Sequence, residues 1–436
     1  MDFVGKPNRI LQGEITVPGD KSISHRALMI GSLSQGLTQI DNFLSGQDCL
    51  ATLKAMQQMG VRIDQPSLEC LHIHGQGLHS LTAPSEPIDC ANAGTMMRLI
   101  AGLLAAQPFN SVLIGDDSLQ NRPMERITYP LSLMGANITG VKRDNKIYAP
   151  LSIKGSSLHG IRYELPVESA QIKSCLLLAG LFAKELTQIV EKGECRDHTE
   201  RMLSAFGSDI VNQANHITLK PGKALQAQHI IIPGDFSSAA FFIGAASMQM
   251  GATLMLKAVG VNERRIGFLH MLNSMGAKIT LHHLRYFNNE PVADIEVKGA
   301  RLQGINVPLQ WVVSAMDEFP MLFVVAACAK GETTIRGVSE LRVKESDRIA
   351  SMCQGLRSLG IAVKELPDGV IICGGSLQGG VVDSFGDHRV AMALLMASWM
   401  ANDTITVKNC DNINTSFPNF SECAAQLGLE ISKVQD

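Results

Sequence analysis

LATLKAMQQMGVRI, residues 50–63, has the helical period of apolar residues, then a glycine, then the first residues of a strand. A glycine just past a periodic stretch is the usual helix stop, because it alone adopts the left-handed cap without steric cost. The same ending, an apolar residue, glycine, two variable residues and Ile or Val, recurs as MGANI (134–138), FGSDI (206–210), MGAKI (275–279), LGIAV (359–363) and LGLEI (427–431). The glycines lie 68 to 84 residues apart, and each follows a helical-period stretch. One such ending is weak evidence of a repeat. Six at near-constant spacing predict six copies of one supersecondary unit.

A second set of six segments lies between these endings. They open at Asp20, Asn92, Ser169, Asp235, Asp317 and Asp387, residue types favoured as N-caps, and continue as 13–15 residues rich in Ala, Leu and Met. Being apolar nearly all round after the first turn, these helices are expected to be buried. β-branched runs such as SVLIG (111–115), HIIIP (229–233), ADIEVKG (293–299) and GVIICGG (369–375) read as strands between the helices. The sixth copy, from Asp387, is short, while ILQGEITV (10–17) precedes the first, so the N-terminal segment is expected to complete the last repeat. Pro18-Gly19-Asp20 with Ser22 is echoed 215 residues on by Pro233-Gly234-Asp235 with Ser237. The expectation is an α/β chain of two similar three-repeat domains, 18–233 and 1–17 plus 234–436. The chain would cross between them near 18–20 and 233–235, with an active site in a hinged cleft.

Composition agrees with an ordinary globular chain of more than one domain: 436 residues, 45% hydrophobic and 18% charged. A net charge of −3 argues against a general nucleic-acid binder with a broad basic face, so any anion binding is expected to be local. Ten cysteines without a C-x-x-C pair read as reduced and mostly buried thiols. Residues 99–115 are uncharged but interrupted by Gln107-Pro108-Phe109-Asn110, and the N-terminus lacks an apolar signal core, which makes a cytoplasmic protein the expectation.

The cations interrupt the apolar pattern at helix starts. Lys21, Arg26, Arg98, Lys173 and Arg389 fall in the apolar set; Arg122, Arg196, Arg264, Arg265, Lys344 and Arg348 precede or open the glycine-ended set. Helix N-termini already carry partial positive charge, so added Lys and Arg make sense where a phosphate or carboxylate is bound. For any single residue a solvated surface role is the better reading, and it is the repetition that favours an anion site. The carboxylates Asp317, Glu318, Glu345 and Asp387 share the pattern; Asp317 and Asp387 could serve as caps, whereas Glu345, between Lys344 and Arg348, is a candidate acid or base. Gly19-Asp20-Lys21-Ser22 lacks Walker A spacing, Gly75-Gln76-Gly77 lacks the third glycine of a dinucleotide fingerprint, and His72, His74 and His79 lack a metal-ligand set.

PGDKSISHR (18–26), NAGTMMRL (92–99), RPM (122–124), SAQIKS (169–174), RDHTE (196–200), DEFP (317–320), RVKESDR (342–348), DHR (387–389) and TSFPNF (415–420) together resemble the 3-phosphoshikimate 1-carboxyvinyltransferases, also called 5-enolpyruvylshikimate-3-phosphate synthases. The resemblance runs along essentially the whole chain, in the family's order. It implies the enolpyruvyl transferase-like inverse α/β barrel, two domains each of three βαβαββ units around buried parallel helices. It also implies transfer of the enolpyruvyl group of phosphoenolpyruvate to the 5-hydroxyl of shikimate 3-phosphate, in aromatic amino acid biosynthesis, with no cofactor or metal. By the same resemblance the enzyme is a monomer with small-molecule partners only, and no nucleic acid or membrane.

The resemblance places shikimate 3-phosphate on Lys21, Ser22, Arg26, Ser169, Ala170, Gln171, Arg196, Asp317 and Lys344, and phosphoenolpyruvate on Lys21, Gly94, Arg122, Gln171, Arg348 and Arg389. It makes Asp317 the base for the 5-hydroxyl, and Glu345 with Lys21 the proton donor to the methylene carbon. Some members carry a phosphoenolpyruvate-binding lysine where this chain has Thr415. Gly94, the smallest option there, implies sensitivity to the analogue glyphosate. Two rivals remain. UDP-N-acetylglucosamine 1-carboxyvinyltransferases share fold and donor but use a cysteine near residues 105–130, where this chain has none between Cys90 and Cys175, and show Lys-Asn in place of Lys21-Ser22. A non-catalytic repeat scaffold would explain the copies but not the charges at helix starts.

Overall fold

The six glycine stops organise the chain. Gly60, Gly135, Gly207, Gly276, Gly360 and Gly428 all take φ between 84° and 96°. Each glycine N–H donates to a carbonyl three residues back, and the next N–H to one five residues back, as in Gly60 to Gln57 and Val61 to Met56. This paired cap closes the helices Gln47–Gln58, Glu125–Leu133, His198–Ala205, Gly267–Ser274, Arg348–Ser358 and Phe420–Gln426. A strand follows each, beginning at Arg62, Asn137, Asp209, Lys278, Ala362 and Ile431.

A computed structural model describes residues 1–6 and 10–434. The chain divides into two units, one of Gly19–Ile232 with Phe287–Glu290, the other of Met1–Pro18, Pro233–Tyr286 and Pro291–Asp436. Residues 7–9 and 435–436, which the expected C-terminal domain includes, lie outside the described residues.

In the first unit the central helices are Lys21–Ser32, Gly94–Ala105 and Ala170–Gly180. In the second they are Phe236–Met248, Phe319–Cys328 and His388–Ala397. Every residue of Phe236–Met248 is buried, as the all-round apolar pattern requires. Each unit has its own apolar core. Asp20, Ser169, Asp235 and Asp387 cap their helices through the side chain. Asn92 and Asp317 do not, contrary to the reading of these residues as caps. The second helix starts at Gly94 after Ala93, and the Asn92 amide bonds Arg122 and Asp116 instead. The fifth starts at Phe319 with Pro320 in its first turn. Proline brings no N–H to be capped, so the helix begins two residues after Asp317 and leaves that carboxylate for other partners.

The strands form small mixed sheets around these helices. In the first unit Gln35–Asp41 pairs parallel with His229–Ile231, from the end of the unit, and antiparallel with Cys70–Gln76. The next two sheets repeat this, each with one parallel pair: Ile88–Asp89 with Ser111–Ile114, and Arg162–Glu164 with Thr187–Val190. In the second unit the N-terminal segment supplies two strands. Gln12–Thr16 runs parallel to Thr253–Gly260, and Phe3–Gly5 lies between Ile405–Lys408 and Ile431–Lys433. Among the described residues no helix is long and apolar enough to cross a membrane.

Candidate active site

In the first unit the core-helix starts are joined by their own side chains. Arg26, on the first helix, is buried; its Nε donates to Thr199 Oγ1 (2.6 Å), Nη1 to the Ser22 carbonyl (2.8 Å) and Nη2 to Ser174 Oγ on the third helix (2.7 Å). Desolvation, with the like charge of Arg196 adding to it, lowers its pKa to about 10, against the pull of Glu200 and Asp20. Lys21 Nζ donates to Asp48 Oδ2 at 2.9 Å. Arg98, on the second helix, donates from Nη1 to Gln171 Oε1 (2.7 Å), while Gln171 Nε2 donates to Thr95 Oγ1 (3.1 Å). The Gln171 amide is thereby fixed with its oxygen towards Arg98.

Arg122 is buried and held by Asn92 Oδ1 (2.7 Å) and Ser118 Oγ (3.0 Å) through Nη2. It faces Gly94, where an added Cβ would lie 3.1 Å from Arg122 Nη1 and 3.2 Å from Arg98 Nη1. Ser169 caps the third helix, which Ala170 opens. Arg196 is half-buried in the segment leading to the His198–Ala205 helix. Lys173 does not join the anion-facing set expected of it. It is fully buried, 2.7 Å from Glu191 Oε1 and 2.6 Å from Glu200 Oε1, because those carboxylates meet it on the inward side of its helix.

The second unit gathers the remaining candidates. Arg348, at the start of its helix, is 1% exposed and donates from Nε to Asp387 Oδ2 (2.8 Å) and from Nη2 to Glu345 Oε2 (2.6 Å). Burial alone would lower its pKa, but Asp387, Glu345 and Asp317 together raise it. Its Nη1 is buried without a hydrogen-bond partner among the described residues, 3.7 Å from Asp317 Oδ1. Arg389 donates from Nη1 to the Asp317 carbonyl (3.3 Å), and its Nη2 lies 3.9 Å from Asp317 Oδ2. Asp387 caps its helix, as one reading of it has it, and also pairs with Arg348. Desolvation lowers the Lys344 pKa despite Asp317 and Glu340. Thr415 is buried and donates to the Asn412 carbonyl (2.7 Å).

The sequence does not mark several supporting residues as such, Asn92 being expected only as a cap. Thr199 and Ser174 hold Arg26, Asn92 and Ser118 hold Arg122, Asp48 holds Lys21. Thr199, Ser174 and Asn92 sit within the segments that carry the resemblance, which was the available signal. Asp48 and Ser118 lie outside every such segment.

Triplets of strand-and-helix repeats, with Lys21, Arg26, Arg98 and Arg389 near the starts of three of the six central helices, place the chain in the class of two-domain enolpyruvyl transferases. A family model described as EPSP synthase (3-phosphoshikimate 1-carboxyvinyltransferase) matches residues 6–423, and the chain belongs to that family. It is 49% identical over 434 residues to a 3-phosphoshikimate 1-carboxyvinyltransferase of Legionella pneumophila (strain Paris), covering 99% of each chain. It is 51% identical over 437 residues to one of Coxiella burnetii (strain CbuG_Q212), covering 100% of this chain and 99% of the other. A solved EPSP synthase from Acinetobacter baumannii superposes with a TM-score of 0.90 at 46% identity, each chain covered completely.

Proposed function

We propose that the chain transfers the enolpyruvyl group of phosphoenolpyruvate to the 5-hydroxyl of shikimate 3-phosphate and releases phosphate. The reading is carried by Arg26, Arg98 and Arg389 near the starts of three core helices, on a chain that matches this family over residues 6–423. Lys21, Ser22, Arg26, Ser169, Ala170, Gln171, Arg196, Asp317 and Lys344 hold shikimate 3-phosphate. Lys21, Gly94, Arg122, Gln171, Arg348 and Arg389 hold phosphoenolpyruvate, whose phosphate and carboxylate suit planar guanidinium forks.

The 5-hydroxyl oxygen bonds to C2 of phosphoenolpyruvate as Asp317 takes its proton and Glu345, with Lys21, delivers a proton to the C3 methylene. The resulting tetrahedral ketal is stabilised by the surrounding cations. Return of the C3 proton to Glu345 and cleavage of the C2–O bond then release phosphate. The units 18–233 and 1–17 plus 234–436 act as the two domains, crossing near 18–20 and 233–235 and closing on the substrates. The enzyme works in the cytoplasm as a monomer.

Phosphate release from phosphoenolpyruvate, measured in parallel with shikimate 3-phosphate and with UDP-N-acetylglucosamine, tests the reading. Release is expected with the first acceptor alone. Release only with the second would reassign the enzyme, and release with neither would remove the assignment.

A further inference from the structure

Asp317 lies near three guanidinium groups of its own unit: Arg348 Nη1 at 3.7 Å, Arg265 Nη1 at 3.8 Å and Arg389 Nη2 at 3.9 Å. Lys344 also feels its charge, while Glu345 and Asp387 accept hydrogen bonds from Arg348. Arg348 and Arg389 are assigned above to phosphoenolpyruvate, so the donor's own anionic groups compete for them. Arg265 has no such assignment. It comes not from a core-helix start but from the turn at Asn262, ahead of the Gly267–Ser274 helix, and its side chain is 4% exposed.

Arg265 also contacts the start of the Phe236–Met248 helix. Nη2 donates to Ser237 Oγ (3.0 Å) and Asp235 Oδ1 (3.3 Å), the oxygen that also caps the helix through Ser237 N–H (2.7 Å). The Ser237 hydroxyl in turn donates to Glu318 Oε1 at 2.5 Å. Two consecutive residues, Asp317 and Glu318, are thus tied to one buried platform of Asp235, Ser237 and Arg265.

We propose that Arg265 is a positioning residue for Asp317, the cation that keeps this carboxylate ionised and aimed once Arg348 and Arg389 engage the donor. The proposal rests on the carboxyvinyl transfer assigned above. A carboxylate base must be ionised to act, and a cation within about 4–6 Å lowers its pKa by roughly one to three units. Removing that cation therefore moves the acid limb of the pH–rate profile to higher pH.

The experiment compares wild type, Arg265→Met, Arg265→Lys and Ser237→Ala for kcat, KM and the pH dependence of kcat/KM with shikimate 3-phosphate, with Asp317→Ala as the floor. Arg265→Met is expected to lose about 10–100-fold in kcat, as small misplacements of catalytic groups do, with KM for both substrates changed less than about threefold. Its acid limb should rise by about one pH unit. Arg265→Lys should keep the limb near wild type and recover part of kcat. If Arg265→Met does not fold, Ser237→Ala should move the limb in the same direction by less. An active wild type with an unmoved limb in Arg265→Met, or in Ser237→Ala where that variant stands in, overturns the proposal; so does a kcat loss that lysine does not relieve. A wild type without phosphate release overturns the transfer reading itself, and this proposal with it.

Discussion

At Gly94 the absence of a side chain leaves room beside two buried guanidinium groups. A methyl there would lie 3.1 Å from Arg122 Nη1 and 3.2 Å from Arg98 Nη1, tighter than ordinary van der Waals contact. Neither guanidinium can yield freely, since Asn92 and Ser118 tether Arg122 and Gln171 tethers Arg98. Gly94→Ala is therefore expected to raise KM for phosphoenolpyruvate several-fold and to weaken inhibition by glyphosate more strongly, with KM for shikimate 3-phosphate nearly unchanged. Steady-state kinetics on both proteins check this. A wild type that glyphosate fails to inhibit, or a variant inhibited equally well, contradicts it. Residue types alone were enough to place Gly94 and Arg122 together through the family resemblance. They could not show that Asn92 serves Arg122 rather than its helix, because that depends on where the helix begins.

The Ala170–Gly180 helix is anchored to its surroundings by a buried charge cluster. Lys173 meets Glu191 and Glu200, and the Cys195 thiol also donates to Glu191 Oε1 at 2.7 Å. Lys173 thus faces two buried carboxylates, one of which, Glu200, also attracts the buried Arg26. Burial raises the pKa of Glu200, opposed by Lys173, and the pKa of Lys173 is raised because Glu200, Cys195 and Glu191 outweigh its desolvation. The two shifts have the same sign. The raised Lys173 contributes stability in full below its unfolded pKa of about 10.4 and loses it as pH climbs through the folded value. The raised Glu200 likewise favours the folded state at low pH and loses that contribution as pH rises above about 4.3.

Lys173→Met, which strands two buried carboxylates, should cost about 3–5 kcal/mol. Glu200→Gln leaves the Lys173–Glu191 pair balanced and should be neutral or stabilising at pH 8, with the advantage shrinking towards pH 4. Thermal unfolding at several pH values measures both, and a Glu200→Gln variant as damaged as Lys173→Met would refute this account. Sequence alone groups Lys173 with the cations expected to bind anions, because its place near a helix start matches theirs. Its carboxylate partners lie 18 and 27 residues further along, outside any local pattern.

For the whole molecule, periodicity made the repeats legible and the repeats made the architecture legible. Six identical glycine caps do not depend on tertiary context, whereas the partners of Arg265 and Arg26 come from segments distant in sequence. The same architecture bears on independent folding. Residues 19–232 are continuous, have their own core, and close their first sheet with His229–Ile231. They also contain Lys21, Ser22, Arg26, Ser169, Gln171 and Arg196 of the proposed shikimate 3-phosphate set. As a separate polypeptide they should unfold cooperatively, bind shikimate 3-phosphate and release no phosphate from phosphoenolpyruvate.

That fragment would lack Phe287–Glu290, which belongs to the same unit. His198 Nδ1 would lose Glu290 Oε1, 2.7 Å away at a buried site, and Arg201 would lose the Asn289 carbonyl. Stranding one buried partner costs about 1–3 kcal/mol, so the start of the His198–Ala205 helix should be the least protected part in hydrogen exchange. Binding should be at least about tenfold weaker than in the full chain, because Asp317 and Lys344 are missing and each tenfold needs only about 1.4 kcal/mol. Titration calorimetry on fragment and full chain decides the matter. Equal affinities would mean that Asp317 and Lys344 add nothing to binding, and an unfolded fragment would mean that the unit depends on the rest of the chain.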